Sequence, residues 1–227
     1  MEIAMGDKTT VVSSDGFELD AWLAVPEGTP KGGVLEIQEI FGVNAHIREV
    51  VDGYAADGYA ALAPALFDRA ERGVELGYEG DDFGKGAGLA FNELKMPTTI
   101  RDLMASVEVL AHYGNVGVVG YCYGGLMAYL SACNIDSLSC SVGYYGGGIA
   151  NQLAQRPRIP LMLHFGEQDA HIPMADVEKI KEVIPDVFVH TYDADHGFNC
   201  NHRASYSEPA ARQAKERTLA FFATHIG

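Results

Sequence analysis

Tryptophan occurs once in these 227 residues, cysteine four times, and basic side chains 16 times against 31 acidic ones. Each shortage excludes something. A formal net charge of −15 leaves no Lys/Arg cluster to neutralise phosphates, which argues against a nucleic-acid partner. It does not exclude an anionic substrate, because local basic residues decide that. No apolar run approaches the ~20 residues needed to cross a bilayer, so no membrane partner is expected. The opening stretch Met1–Lys8 lacks a basic segment followed by an apolar one, so no secretory leader is expected. Cys122, Cys133, Cys140 and Cys200 lack staple-like spacing in a chain too large to need staples, which predicts reduced thiols and a cytoplasmic location. There is no internal repeat, low-complexity tract or convincing linker. With 48% apolar and 21% charged residues, the chain reads as one ordered domain over 1–227.

Residues 8–14 and 17–25 alternate apolar and polar around Ser14-Asp15-Gly16, the pattern of an antiparallel hairpin. Gly33–Gln38 is a short apolar strand. Asn44 then caps a helix with Ile47, Val50, Val51 and Tyr54 on one face, stopped by Gly58. Tyr59–Pro64 reads as a buried strand, and 65–96 as a long irregular excursion near the site. Thr99 and Asp102 resemble a capping box for a helix with the stripe Ile100, Leu103, Met104, Val107, Leu110 and Ala111. Further strands are expected at 115–121, 139–145, 160–165 and 187–192. Helices are expected at about 123–133, 174–184 and 208–225, the last turning Ala211, Ala214, Thr218, Phe221 and Phe222 inward. This alternation predicts a mostly parallel central sheet with helices on both faces.

The strongest chemical signal is Gly120-Tyr121-Cys122-Tyr123-Gly124-Gly125, between a Val-rich strand and a helix. This is the strand–turn–helix pattern of a nucleophile elbow, with sulfur in place of the serine oxygen. So sharp a turn needs small residues two places either side of the nucleophile, and a helix N-terminus favours a thiolate. A buried core cysteine in a Gly-rich turn is the plainer alternative, but the flanking strand and helix outweigh it. Asp169 and His196 follow, each just past a predicted strand, in the order nucleophile, acid, base that marks the α/β-hydrolase fold. His196 would take the thiol proton, and Asp169 would fix its tautomer. Glu167 is a rival acid; His164 and His171 are rival bases. His196, Cys200 and His202 invite a metal site, but no local Asp or Glu supports one and the spacing matches no established site, so no metal is expected.

These motifs resemble the dienelactone hydrolase family. The resemblance rests on Gln38-Glu39-Ile40-Phe41-Gly42-Val43-Asn44, on Gly58-Tyr59-Ala60-Ala61 with Pro64, and on the elbow. It extends to Val142-Gly143-Tyr144-Tyr145-Gly146 and His196-Gly197-Phe198. It implies hydrolysis of ring-cleavage lactones such as 4-carboxymethylenebut-2-en-4-olide, by a Cys-His-Asp triad and without metal or cofactor. It also implies that Glu39 interacts with the resting Cys122 and helps to deprotonate it when substrate arrives. The backbone N–H groups of Ile40 and Tyr123 would form the oxyanion hole. Phe41 and Tyr145 are candidate pocket residues, with core packing as the alternative for each.

The chain departs from the family where the substrate carboxylate is held, by one arginine in the excursion and one after the catalytic histidine. Lys85 is the nearest basic match for the first. Cys200 takes the place of the second, leaving Arg203, Arg69 or Arg72 to substitute. The expectation is therefore an enzyme for a small ester or lactone, with dienelactone preferred, working as a monomer or small homo-oligomer. The alternatives are a general carboxylesterase or thioesterase, an amidase, and a non-catalytic binding protein that retains the elbow. The amidase is disfavoured because an amide leaving group needs strong protonation.

Overall fold

The computed structural model describes residues 5–227; residues 1–4, which belong to the stretch read for a leader, lie outside the described residues. Eight strands form one sheet in the order β1-β2-β4-β3-β5-β6-β7-β8. They are β1 (Asp7–Val12), β2 (Glu18–Ala24), β3 (Gly33–Ile37), β4 (Ala60–Pro64), β5 (Val116–Tyr121), β6 (Cys140–Tyr144), β7 (Leu161–Gly166) and β8 (Phe188–Tyr192). β1 and β2 pair antiparallel, as the alternating pattern predicts, and β2 joins β4 antiparallel. The other pairings are parallel. Every residue of β3, β4, β5, β6 and β7 is buried, which is why these strands read as continuous apolar runs.

The helices are α1 (Ala45–Ala56), α2 (Asp82–Gly88), α3 (Met96–Leu110), α4 (Tyr123–Asn134), α5 (Met174–Val183) and α6 (Glu208–His225). Among the described residues, none is long and apolar enough to cross a membrane. The Asn44 side chain caps α1 by accepting from the Ile47 N–H at 3.2 Å, and α6 buries the five residues expected of it. α1 and α3 pack on β4, and α4 on β5 and β6. This arrangement, with its antiparallel N-terminal hairpin, is an α/β-hydrolase fold. The chain runs from β3 to β4 on one side and to β5 on the other. That reversal opens a crevice beyond the carboxyl ends of β3 and β5.

Two expectations fail. The capping box at Thr99 and Asp102 does not form, because α3 begins four residues earlier, at Met96, with Pro97 in its first turn. Thr99 Oγ1 donates back to the Lys95 carbonyl at 3.2 Å. Asp102 is buried against Arg69, its Oδ1 2.6 Å from Nη2. Met104 is exposed, so the true stripe runs through Leu103, Ser106, Val107 and Leu110. Nor is the 65–96 excursion irregular throughout. It holds a 3₁₀ turn at Leu66–Arg69, α2, and a π-turn at Leu89–Glu93.

Candidate active site

Cys122 stands between the end of β5 and the first residue of α4, with φ of 56°. A non-glycine residue in the left-handed region stores strain, and it persists only where surrounding structure enforces it. The enforcing contacts are backbone ones. A Cβ at Gly120 would meet the Gly124 carbonyl, and one at Gly124 would meet the Ile37 carbonyl at the end of β3. The Cys122 N–H donates to the Tyr144 carbonyl at 3.0 Å, tying the turn to β6.

Asp169 and His196 follow β7 and β8, and His196 Nδ1 lies 2.7 Å from Asp169 Oδ2. The other Asp169 oxygen accepts the His171 N–H at 2.8 Å, so the carboxylate is fixed on both sides. Burial opposes a charge on His196. The hydrogen bonds to Asp169 and Cys122, with the charges of both, outweigh it and hold the ring pKa up at about 10. Two of the three rivals are placed elsewhere. Glu167 accepts from Thr191 Oγ1 at 2.7 Å on the surface. His164 is buried within the sheet, with its Nδ1 2.8 Å from the Tyr192 hydroxyl. His171 does reach the site, edge-to-face with His196 at 5.3 Å between ring centroids.

Cys122 and His196 open on a cavity of about 320 Å³. Its wall is mostly apolar: Ile40, Phe41, Ala87 and Leu126, with Phe83 and Phe91 from the excursion. Tyr123 is also on the wall, and as the first residue of α4 its N–H has no acceptor within the helix. Arg203 supplies a cation. Its guanidinium sits 5.8 Å from the Phe41 ring centre and 5.6 Å from that of Tyr78, and Nη1 lies 3.5 Å from Glu39 Oε1.

Glu39 follows β3 and is fully buried. Burial raises its pKa, and Arg203, His196 and Tyr78 partly offset that. Neither of its oxygens has a well-formed hydrogen bond. Two other expected pocket residues are not on the wall. Lys85 points to solvent and pairs with Glu71 Oε1 at 2.7 Å, because α2 turns its glycine and alanine side inward. Tyr145 is wholly buried behind His196, with ring centroids 5.1 Å apart. Arg69 pairs with Asp15 and Asp102, and Arg72 donates to the Glu18 carbonyl at 2.7 Å, so neither reaches the cavity. Sequence reasoning missed Phe83, Phe91, Leu126 and Tyr78. Aromatics set in a Gly-rich stretch were the available signal for the first two.

The chain is similar to known proteins over nearly its whole length. The family model described as "Dienelactone hydrolase family" matches residues 19–226. Carboxymethylenebutenolidase from Pseudomonas putida is 34% identical over 224 residues, covering 94% of each chain. That of Pseudomonas sp. strain P51 is 33% identical over 221 residues, covering 92% of each. A solved structure of a candidate dienelactone hydrolase from Klebsiella pneumoniae superposes with a TM-score of 0.87 at 28% identity, covering 97% of this chain and 98% of its own. The chain belongs to the dienelactone hydrolase family, and it is a hydrolase.

Proposed function

We propose that the protein cleaves a small ester or lactone through an acyl-thioester on Cys122, with a carboxylate-bearing dienelactone as preferred substrate. The observation that carries this reading is a strained Cys122 sharing one cavity with a His196 whose far nitrogen is fixed by Asp169. His196 takes the thiol proton, and its raised pKa favours the imidazolium so formed. The thiolate attacks the carbonyl carbon, and charge gathers on the carbonyl oxygen, which the N–H groups of Ile40 and Tyr123 receive. The C–O bond breaks and the leaving oxygen takes the His196 proton. Water then gives a proton to His196 and attacks the thioester, and the sulfur departs with that proton.

Glu39 acts beside this cycle. Buried near Arg203 and His196, it assists the transfer of the Cys122 proton to His196 when a substrate anion competes for Arg203. Arg203 is the anchor for a substrate carboxylate, since an unpaired anion in so apolar a cavity would cost several kcal/mol. The apolar wall favours a second reading, hydrolysis of neutral aryl esters or thioesters, in which Arg203 serves only to hold Glu39.

A panel of dienelactones, aryl esters and thioesters decides between the two, with Cys122→Ala as control. Hydrolysis of the preferred substrate should fall about 10⁴-fold or more in Cys122→Ala, with the fold intact. Near-normal turnover by that variant would remove the mechanism. An ester analogue should label Cys122 and then be released, a cycle that a binding protein would not complete.

A further inference from the structure

Behind the cavity wall, three potential ligand side chains converge from distant parts of the chain. Glu39, His46 and Cys200 are all buried, and one ligand atom from each lies within 4.8 Å of the other two. Two of the three carry polar atoms that no hydrogen bond satisfies. Both Glu39 oxygens and His46 Nε2 are buried without a hydrogen-bond partner, in a protein interior where such groups are ordinarily satisfied. His46 Nδ1 lies 3.1 Å from Asn201 Oδ1. An amide oxygen can only accept, so Nδ1 carries the proton and Nε2 keeps its lone pair. That is the tautomer a metal-binding histidine needs, fixed by the kind of outer partner that orients such ligands.

We infer that Glu39, His46 and Cys200 form a binding site for a thiophilic divalent transition-metal ion of the Zn²⁺ type. One sulfur, one imidazole nitrogen and one carboxylate are Zn²⁺ donors, and a water completes four-coordination. Metal–ligand bonds of about 2.0–2.3 Å set neighbouring ligand atoms roughly 3.3–3.7 Å apart, so the three need to draw together by about an ångström. The ion displaces the Cys200 thiol proton, and any carboxyl proton, to solvent. Thiolate and carboxylate then balance its two positive charges.

Arg203 is the competing cation, but at 3.5 Å it does not tie the carboxylate down. An outer trio of His46, Glu49 and His202 shares the histidine and has its other two members exposed, which gives the ion a route from solvent. The spacing of His196, Cys200 and His202 concealed this site because its carboxylate, Glu39, and its histidine, His46, lie far earlier in the chain than Cys200. Occupancy would hold Glu39 beside the cavity and stop hydrolysis. That consequence rests on the role of Glu39 proposed above; the site itself does not.

The binding test uses Cys122→Ser protein, so that the elbow thiol cannot contribute, titrated with Co²⁺ as a coloured probe. One equivalent should bind, with a sulfur-to-cobalt charge-transfer band in the near ultraviolet that Zn²⁺ abolishes by displacement. Adding Cys200→Ser should remove the band. His46→Gln, introduced separately, should weaken binding at least about tenfold, with folding of each variant checked by circular dichroism. No band in Cys122→Ser, or a band that persists without Cys200, overturns the site. Zn²⁺ should also inhibit hydrolysis by otherwise wild-type protein, and Cys200→Ser should relieve that inhibition. A formed site without inhibition would overturn the role of Glu39 and leave the site standing.

Discussion

The cavity has two walls of opposite character. The floor is made by strand ends: the Cys122 turn, the Glu39–Phe41 segment after β3, and the loops bearing Asp169 and His196. Its backbone contacts are so close that Gly120 and Gly124 admit no side chain. The cover is α2 with the π-turn after it, where three of seven helical residues are glycine, each costing about 0.5–1 kcal/mol relative to alanine. Phe83 and Phe91 are 48% and 60% exposed there, while the backbone of Gly86 rests on the Ile40 carbonyl. Such a division suits an enzyme whose chemistry needs fixed geometry while its substrate needs entry: the floor is over-determined, the cover weakly held.

Substitutions in the floor should therefore be the most damaging. His196→Ala should cost about 10³–10⁴-fold in kcat/KM and Asp169→Asn about 10²–10³-fold, with Glu167→Gln harmless. Steady-state kinetics check this, and a harmless Asp169→Asn would break the assignment of the acid. Gly124→Ala forces a methyl into the Ile37 carbonyl. It should lower unfolding free energy by about 2–4 kcal/mol in denaturant titration, as overpacking and backbone strain together predict.

The floor also predicts a pH signature. The folded pKa of His196 is raised from 6.5 to about 10, so the stability it contributes is complete below pH 6.5 and lost as pH rises through 10. The difference in unfolding free energy between wild type and His196→Gln should shrink across that window. A difference that grows with pH would show that the ring is held neutral.

At the boundary of floor and cover, Arg203→Ala should raise KM for carboxylate-bearing lactones about tenfold or more, with little change for neutral aryl esters. Lys85→Ala should do nothing to either, because Lys85 is paired with Glu71 on the far side of α2. The smallest effects belong to the cover. Phe83→Ala or Phe91→Ala should raise KM for aryl esters by about fivefold, the loss of about 1 kcal/mol of apolar contact, with kcat and melting temperature nearly unchanged. A large fall in melting temperature would mean that the cover is structural.

Legibility follows the same division. The elbow is readable because its requirements are local: small residues at fixed offsets between a strand and a helix. Asp169 and His196 are readable because chain order and strand ends place them at one edge of the sheet. The start of α3 was misread because Asp102, which looks like a capping partner for Thr99, is instead held by Arg69, 33 residues away. Lys85 has the right charge in the right segment, yet the rotation of a seven-residue helix aims it outward. Tyr145 neighbours the site in sequence but is buried behind it.

By itself the sequence determined the alternation of strands and helices, the hairpin, the elbow and the order of the three residues around it. All of these arise from periodicity and short-range sterics, which a chain carries wherever it goes. Only the tertiary structure decided which carboxylate meets which histidine, which cation faces the cavity, and that Glu39, His46 and Cys200 share one buried point. Those outcomes depend on how helices rotate on the sheet and how loops cross its edge. Such choices are made by the packing of the whole core, and residues far apart along the chain meet only once it has formed.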